Sequence, residues 1–358
     1  MFRSKKILLV LPMIVLLLFS LISFSACGEK SAIEEKKLTE IASIFPLTGK
    51  IAMIGEWHKN GSDYYQLNSK DLVIRYVDSE GTPNKAISGL NLIKDKIDGV
   101  VGTLSSVMIS VIKSVQTEKP IFLVNVSSPN VTLLGDNVYR YNIDVIDEVK
   151  ILFKEMKANN VTEIGVLYIN DEYGLSAINF LKENSNEINI EVKFSESYEP
   201  SQMDFKDITS MLAEYNFPLV VLGYGRSYIS LIKSIAEVKY KNVIYTDYSM
   251  FVKEFKKPLL GCGLEVYYIG PSIDKEIFEK WSEKYISQNQ KEPNYAVCIS
   301  YDIVNIMHQV LQNEKNLNKI KLKKYLEENE IYSVYGFRII SDEEGEIKVP
   351  LQIIHETL

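Results

Sequence analysis

Residues 41–78 constrain this chain more than any other stretch. IASIF, residues 41–45, is a short apolar run with the length and bounding residues of a fully buried strand. Pro46 stops it, and Thr48-Gly49 opens a loop rather than a helix. Gly55 and Gly61 follow six residues apart, where apolar positions begin to recur at helical spacing. A second buried run, residues 72–77, ends on Asp78 and a turn holding Gly81 and Pro83. Strand, long loop, helix and parallel strand, in that order, open an α/β sheet. Small molecules bind outside the carboxyl ends of such strands, where this loop lies.

The alternation continues through the body. GVVGT, PIFLVNV and residues 138–141 read as further strands, with helices over about 106–118 and 147–158. A new buried run at residues 164–169 restarts the pattern, which suggests a second α/β lobe; 358 residues exceed one ordinary core. Phe205, Ile208, Met211, Leu212 and Tyr215 mark an amphipathic helix. PLVVLGYG, NVIYTDY and GLEVYYIG are strands. Two helices follow, and the end reads as a hairpin turning at Glu344-Gly345.

The start belongs to neither lobe. Arg3, Lys5 and Lys6 precede an apolar stretch to Phe24, and Ser25-Ala26 offers small residues just before Cys27. This reads as a signal peptide over 1–26, with Cys27 as a lipidated first residue and 27–37 as a tether. An uncleaved membrane anchor is the other reading. Either way the body lies outside the cytoplasm. Removing 1–26 takes away three positive charges and no negative ones, so the formal charge becomes 37 minus 47, or −10. An acidic surface argues against a nucleic-acid partner. Cys262 and Cys298 read as unpaired small residues, although two cysteines in an exported chain can also pair.

The residues of the opening are also familiar as a set. P-L-T-G, x-A-x-x-G, the next Gly after five residues, then D-S-x-G-x-P-x-x-A resemble the start of the leucine/isoleucine/valine-type solute-binding proteins of bacterial ABC importers. The resemblance covers about residues 39–355. It implies two doubly wound parallel-sheet α/β lobes of the type I periplasmic-binding-protein kind, joined by a three-strand hinge. Crossings are expected near residues 142–144, 268–271 and 334–336. That places 38–142 plus 271–334 in lobe I and 143–270 plus 335–358 in lobe II, around a cleft that opens and closes.

Five segments are candidates for holding a ligand. In VVGTLSSVM a strand ends and Ser105-Ser106 begin a helix, so free N–H groups and hydroxyls converge where an anion can bind. An ordinary N-cap is the alternative there. The resemblance implies that Ser106 bonds a ligand carboxylate. NVSSPNVT follows another strand and resembles the family's A-T-N-P-x-L-T, with Ser127 as the hydroxyl and Val126 offering its backbone; a plain turn is the alternative. Tyr173, in NDEYG, aligns with a tyrosine that closes over the ligand, unless it is simply a loop tyrosine. In LGYGRS, Tyr224 or Gly225 borders the cleft. In YTDYS the family's amino-acid binders need an acid for the ammonium group. Asp247 is the obvious one, although a register one residue on places Tyr248 there. A buried ammonium without a carboxylate partner is costly. Ile54 suits an apolar ligand side chain, or else lobe packing.

No H-E-x-x-H, P-loop, G-x-S-x-G or C-x-x-C is present, and the three histidines show no metal-ligand spacing. No cofactor, metal or catalytic residue is expected. The sequence thus reads as a monomeric, lipid-anchored receptor passing an amino acid, branched-chain or otherwise aliphatic, to an ABC permease. An amide, urea or small carboxylate as ligand, a sensor, and an exported hydrolase using Ser106 or Ser127 are the rivals.

Overall fold

The computed structural model describes residues 38–184, 189–212 and 214–358. The expected signal peptide, tether and lipidated Cys27 lie outside these residues. The chain runs β1 (Thr39–Phe45), α1 (Ala52–Leu67), β2 (Leu72–Asp78), α2 (Pro83–Ile93), β3 (Gly99–Gly102), α3 (Ser105–Ser114), β4 (Ile121–Val124) and β5 (Val138–Asn142). It then continues through α4 (Val145–Ala158), β6 (Glu163–Ile169), α5 (Glu172–Asn184), β7 (Glu191–Tyr198), α6 (Lys206–Leu212), β8 (Leu219–Leu222), α7 (Gly225–Glu237), β9 (Ile244–Thr246) and β10 (Glu265–Pro271). Three helices rather than two come next: α8 (Lys275–Asn289), α9 (Tyr295–Asn313) and α10 (Lys319–Glu328). Two strands, β11 (Glu346–Lys348) and β12 (Leu351–Thr357), close the chain.

Two sheets result, ordered β11-β5-β4-β3-β1-β2 and β12-β10-β9-β8-β6-β7. Each is parallel apart from the antiparallel β10–β12 pair. These are the two doubly wound α/β lobes. Fully buried runs such as Val100, Val101 and Ile121–Val124 are what a sheet covered on both faces requires. One face of the first sheet packs against α9, through Ile299, Ile303 and Met307. Its other face packs α2 and α3, through Leu90, Val107 and Met108. Gly61 permits the close contact of α1 with α9, since a Cβ there would lie 2.1 Å from the Val297 carbonyl oxygen.

The chain leaves the first sheet after Asn142 and rejoins that lobe after Pro271. The third crossing falls at Val349-Pro350, not at 334–336. Ile331, Val334, Tyr335, Ile339 and Ile347 bury their side chains in the first lobe's core, and β11 pairs with β5. Residues 335–349 therefore stay with the first lobe, and only the last strand reaches the second sheet. The turn at Gly345 forms as expected, with Asp342 N donating to Glu346 O at 2.9 Å. The second and third crossings are tied together by Ser272 N donating to Pro350 O at 2.7 Å.

A buried carboxylate braces this region. Asp302 of α9 accepts from the Tyr141 hydroxyl at 2.9 Å, from Ser333 Oγ at 2.5 Å and from Val334 N at 3.0 Å. Burial pushes its carboxyl up to about 7, against the bonds from Ser333, Val334 and Tyr141. Cys262 and Cys298 are both free.

Candidate ligand-binding site

The first loop is pinned by the residue that ends β2. Asp78 accepts from Leu47 N at 2.9 Å, Thr48 N at 3.2 Å, Thr48 Oγ1 at 2.6 Å and Glu80 N at 2.9 Å. Burial works against its charge, but the bonds from Thr48, Glu80 and Leu47 outweigh it and lower its carboxyl. Gly55 lets α1 pass the loop, because a Cβ would lie 2.1 Å from Pro46 O. Ile54 sits half-buried in the first turn of α1.

At the tip of β3, Leu104 takes φ 73°, a conformation that a leucine adopts only under constraint. It stands at the N-cap of α3 and contributes no side-chain cap, so Ser105 and Ser106 are the first helical residues rather than caps. The first N–H groups of α3 consequently have no partner within the helix. Ser106 is exposed, while Ser105 Oγ accepts from Ser128 N at 3.3 Å. At the tip of β4, Asn125 is left-handed and the Asn125–Ser128 segment turns towards the second lobe. Val126 is packed in the core, with its carbonyl bonded to Arg140. Ser127 is half-buried beside it.

Arg140 was missed at the level of sequence. Its Nη1 donates to Ser128 O at 2.8 Å and Val126 O at 3.3 Å, while Nη2 and Nε pair with Asp144 at 2.6 Å and Glu346 at 2.7 Å. One buried guanidinium thus fastens the serine loop, the first crossing and β11 together.

On the second lobe, Tyr173 opens α5, 7% exposed, with its ring edge-on to Tyr224 at 6.2 Å. The Tyr224 hydroxyl donates to Asp171 Oδ2 at 2.5 Å. Asp247 is fully buried and ties two loops of its own lobe, Oδ2 accepting from Gly223 N at 2.5 Å and Oδ1 from Ser249 N at 2.9 Å. Burial raises its carboxyl to about 6 against those bonds. Tyr248 is the neighbour that reaches across: its hydroxyl donates to Asn125 Oδ1 of the first lobe at 3.0 Å. Glu148, also missed from sequence, lies buried in the first turn of α4 and accepts from Tyr248 N at 3.1 Å and from the Tyr173 hydroxyl at 3.3 Å.

The two sets of tips meet. Besides the Tyr248–Asn125 bond, Ser128 Oγ donates to Glu172. Lys253 pairs with Glu292, and Asn294 Nδ2 donates to Glu254 Oε1 at 3.2 Å. A cavity of about 370 Å³ lies between the lobes, lined by Trp57 and Asn60 of the first and Lys253 and Lys257 of the second among others. Ile54, Ser106, Ser127, Tyr173 and Tyr224 all lie on loops or helix starts at the strand tips, in which small molecules bind in such sheets. Among the described residues no group of acids, histidines and cysteines is arranged to hold a metal ion.

Residues 60–336 match the model of the family described as the receptor family ligand binding region. The chain belongs to that family. Solved structures extend the likeness over the whole described body. The substrate-binding protein LivJ of a branched-chain amino acid transporter from Streptococcus pneumoniae, in complex with isoleucine, superposes with a TM-score of 0.76 at 16% identity, over 90% of this chain and 99% of that one. A leucine-binding protein LivK from Thermotoga maritima gives 0.73 at 14% identity, over 89% and 97%. A solute-binding protein of an ABC transporter from R. palustris, in complex with benzoate, gives 0.75 at 14% identity, over 90% and 95%. At such identities the likeness establishes the fold, that of type I periplasmic binding proteins. No curated protein matches the chain at a significant level of sequence similarity.

Proposed function

We propose that this family member is the extracytoplasmic solute receptor of an ABC importer, and that its ligand is an amino acid with an aliphatic side chain. The observation that carries this reading is the opposite polarity of the two tips. The first lobe offers unpaired α3 N–H groups with Ser105, Ser106 and Ser127, which suit a carboxylate. The second offers buried Glu148 and Asp247 beneath Tyr173 and Tyr224, which suit an ammonium. A ligand carrying both charges favours the closed form because only that form makes both sets of contacts. LivJ with isoleucine and LivK as a leucine-binding protein support the aliphatic choice.

The benzoate complex keeps a ligand with a carboxylate alone as the second reading, favoured by the same α3 start. The acids of the second lobe speak against it, since an anion beside them is repelled. A binding role rather than hydrolysis is supported by the histidines. His58 bonds Ser300 and Thr103, His308 bonds Tyr65 and His355 bonds Glu265, so the hydrogen bonds of these rings go to groups other than Ser106 and Ser127. No helix among the described residues is long and apolar enough to cross a membrane. Anchoring through a lipidated Cys27, docking of the closed lobes on a permease and a monomeric state complete the proposal.

A thermal-shift screen of residues 27–358 against amino acids, amides and small carboxylates tests it. A ligand at about a hundred times its Kd adds about 2.7 kcal/mol to the bound fold and raises Tm by a few degrees. A shift with benzoates or amides but with no amino acid sinks the reading.

A further inference from the structure

Asp247 is the acid that the sequence marks for a ligand's cation, yet both of its oxygens already accept from backbone N–H groups. Glu148 is placed differently. It is 1% exposed, and its two donors, Tyr248 N and the Tyr173 hydroxyl, both use Oε2. Oε1 is shut off from solvent and has no hydrogen-bond partner. A buried carboxylate oxygen left without a donor is among the costlier defects a fold can carry.

The chain's own cations do not answer it. On the adjoining crossings, Arg140 is committed to Asp144 and Glu346, and Lys348 to Asp147. Asp247 adds a second negative charge nearby, and Tyr173, Tyr248 and Tyr295 supply only neutral hydroxyls around it. Burial and the repulsion of Asp247 raise the carboxyl of Glu148 well above its ordinary range, and a cation donating to Oε1 would work against both. Two of the residues that wall it in line the cleft: Tyr173 stands against Tyr224, and Tyr248 bonds Asn125 across the lobes. The missing donor therefore has to come from the cleft.

We propose that Glu148, not Asp247, is the counter-charge for the ligand's ammonium group, which donates to Oε1 while Asp247 holds the two loops behind it. The ligand class follows: a primary or secondary amine with an anionic group on its other side. This deepens the amino-acid reading and rests on it.

The test is calorimetric titration of wild type, Glu148→Gln and Asp247→Asn with a panel of amino acids, L-isoleucine included, and their deaminated counterparts such as 3-methylpentanoate. Glutamine keeps the acceptor for Tyr173 and Tyr248 and matches the size of the glutamate. The melting temperature of unliganded Glu148→Gln is expected to equal or exceed that of wild type, which shows that the fold is intact. Glu148→Gln is expected to weaken amino-acid binding at least about thirtyfold, the loss for one partner of a buried charge pair, and to leave the deaminated acids unchanged or tighter. Asp247→Asn is expected to lose less. If wild type binds an amino acid and Glu148→Gln binds it within threefold, the assignment falls while the amino-acid reading stands. If no amino acid binds wild type, both fall.

Discussion

The Arg140 guanidinium donates to the Ser128 carbonyl at 2.8 Å, and so joins the hinge to the loop that bridges the lobes. A side chain 3% exposed with two carboxylate partners is a buried network in which removing one member leaves the others unpaired. Arg140→Met is expected to destabilise the protein by about 3–5 kcal/mol in urea unfolding. Because the serine loop loses its anchor, ligand affinity should fall as well, and Arg140→Lys should recover stability only in part, since lysine lacks the fork. An Arg140→Met variant with unchanged affinity would show that the loop holds its shape without the guanidinium.

Closure of the lobes rests on bonds of unequal strength. Lys253 and Glu292 are 66% and 62% exposed, so water and salt screen their pairing to between 0 and about 1 kcal/mol. Tyr248 and Asn125 are part-buried, and their bond is worth about 0.5–1.5 kcal/mol net. Tyr248→Phe is expected to weaken ligand binding about three- to tenfold and to enlarge the unliganded radius of gyration in small-angle scattering. Lys253→Met should change either quantity less, and its effect should vanish in high salt. The reverse ranking would mean that the exposed pair, not the tyrosine, holds the lobes together.

Much of the frame was legible because buried parallel strands leave unbroken apolar runs that stop at Pro, Gly and Asp. The runs at 41–45, 164–169 and 219–222 all became central strands for that reason. The loops at Ser105, Ser127 and Tyr173 could be placed at strand tips because the apolar runs before them end there. Glu148 and Arg140 were not legible. A glutamate in an amphipathic helix and an arginine among strand tyrosines read as solvated faces, and only the packing of other segments buries them. The third crossing was misplaced because an apolar residue such as Val334 or Tyr335 does not announce which of two cores it will join. Whether Asp247 or Tyr248 reaches the opposite lobe depends on one residue of register, which three residues of strand cannot set.

Gly61 decides how closely α1 and α9 lie. An added Cβ would sit 2.1 Å from Val297 O, a backbone atom that cannot swing aside. Alanine gains about 1 kcal/mol of helix propensity, but overpacking costs about 1–3 kcal/mol and sometimes more. Gly61→Ala is expected to lower the urea midpoint, with a net loss of up to about 2 kcal/mol. A midpoint at or above that of wild type would show that the helices part without cost.

Asp302, bonded to Tyr141 and Ser333 beside the crossings, makes stability depend on pH. Burial raises its carboxyl in the folded protein from the ordinary 3.8 to about 7. The folded state then holds a proton that the unfolded state has lost, so this group's contribution is full below about pH 4 and declines as pH rises to about 7. The slope is about 1.4 kcal/mol per pH unit across that window. His58 acts in the opposite sense, because burial lowers it from 6.5 to about 3 and stability falls as pH drops below 6.5. Between about pH 4 and 6.5 the slopes of these two groups nearly cancel, while Asp247 and Glu148, also raised by burial, tilt the wild-type profile the same way as Asp302. Asp302→Asn removes one side of that balance. Its stability relative to wild type is expected to climb by about 1.4 kcal/mol per pH unit from pH 4 to 7, read from urea midpoints at each pH. A difference that stays flat across the window would mean that Asp302 remains ionised in its buried site, held by Tyr141, Ser333 and Val334 alone.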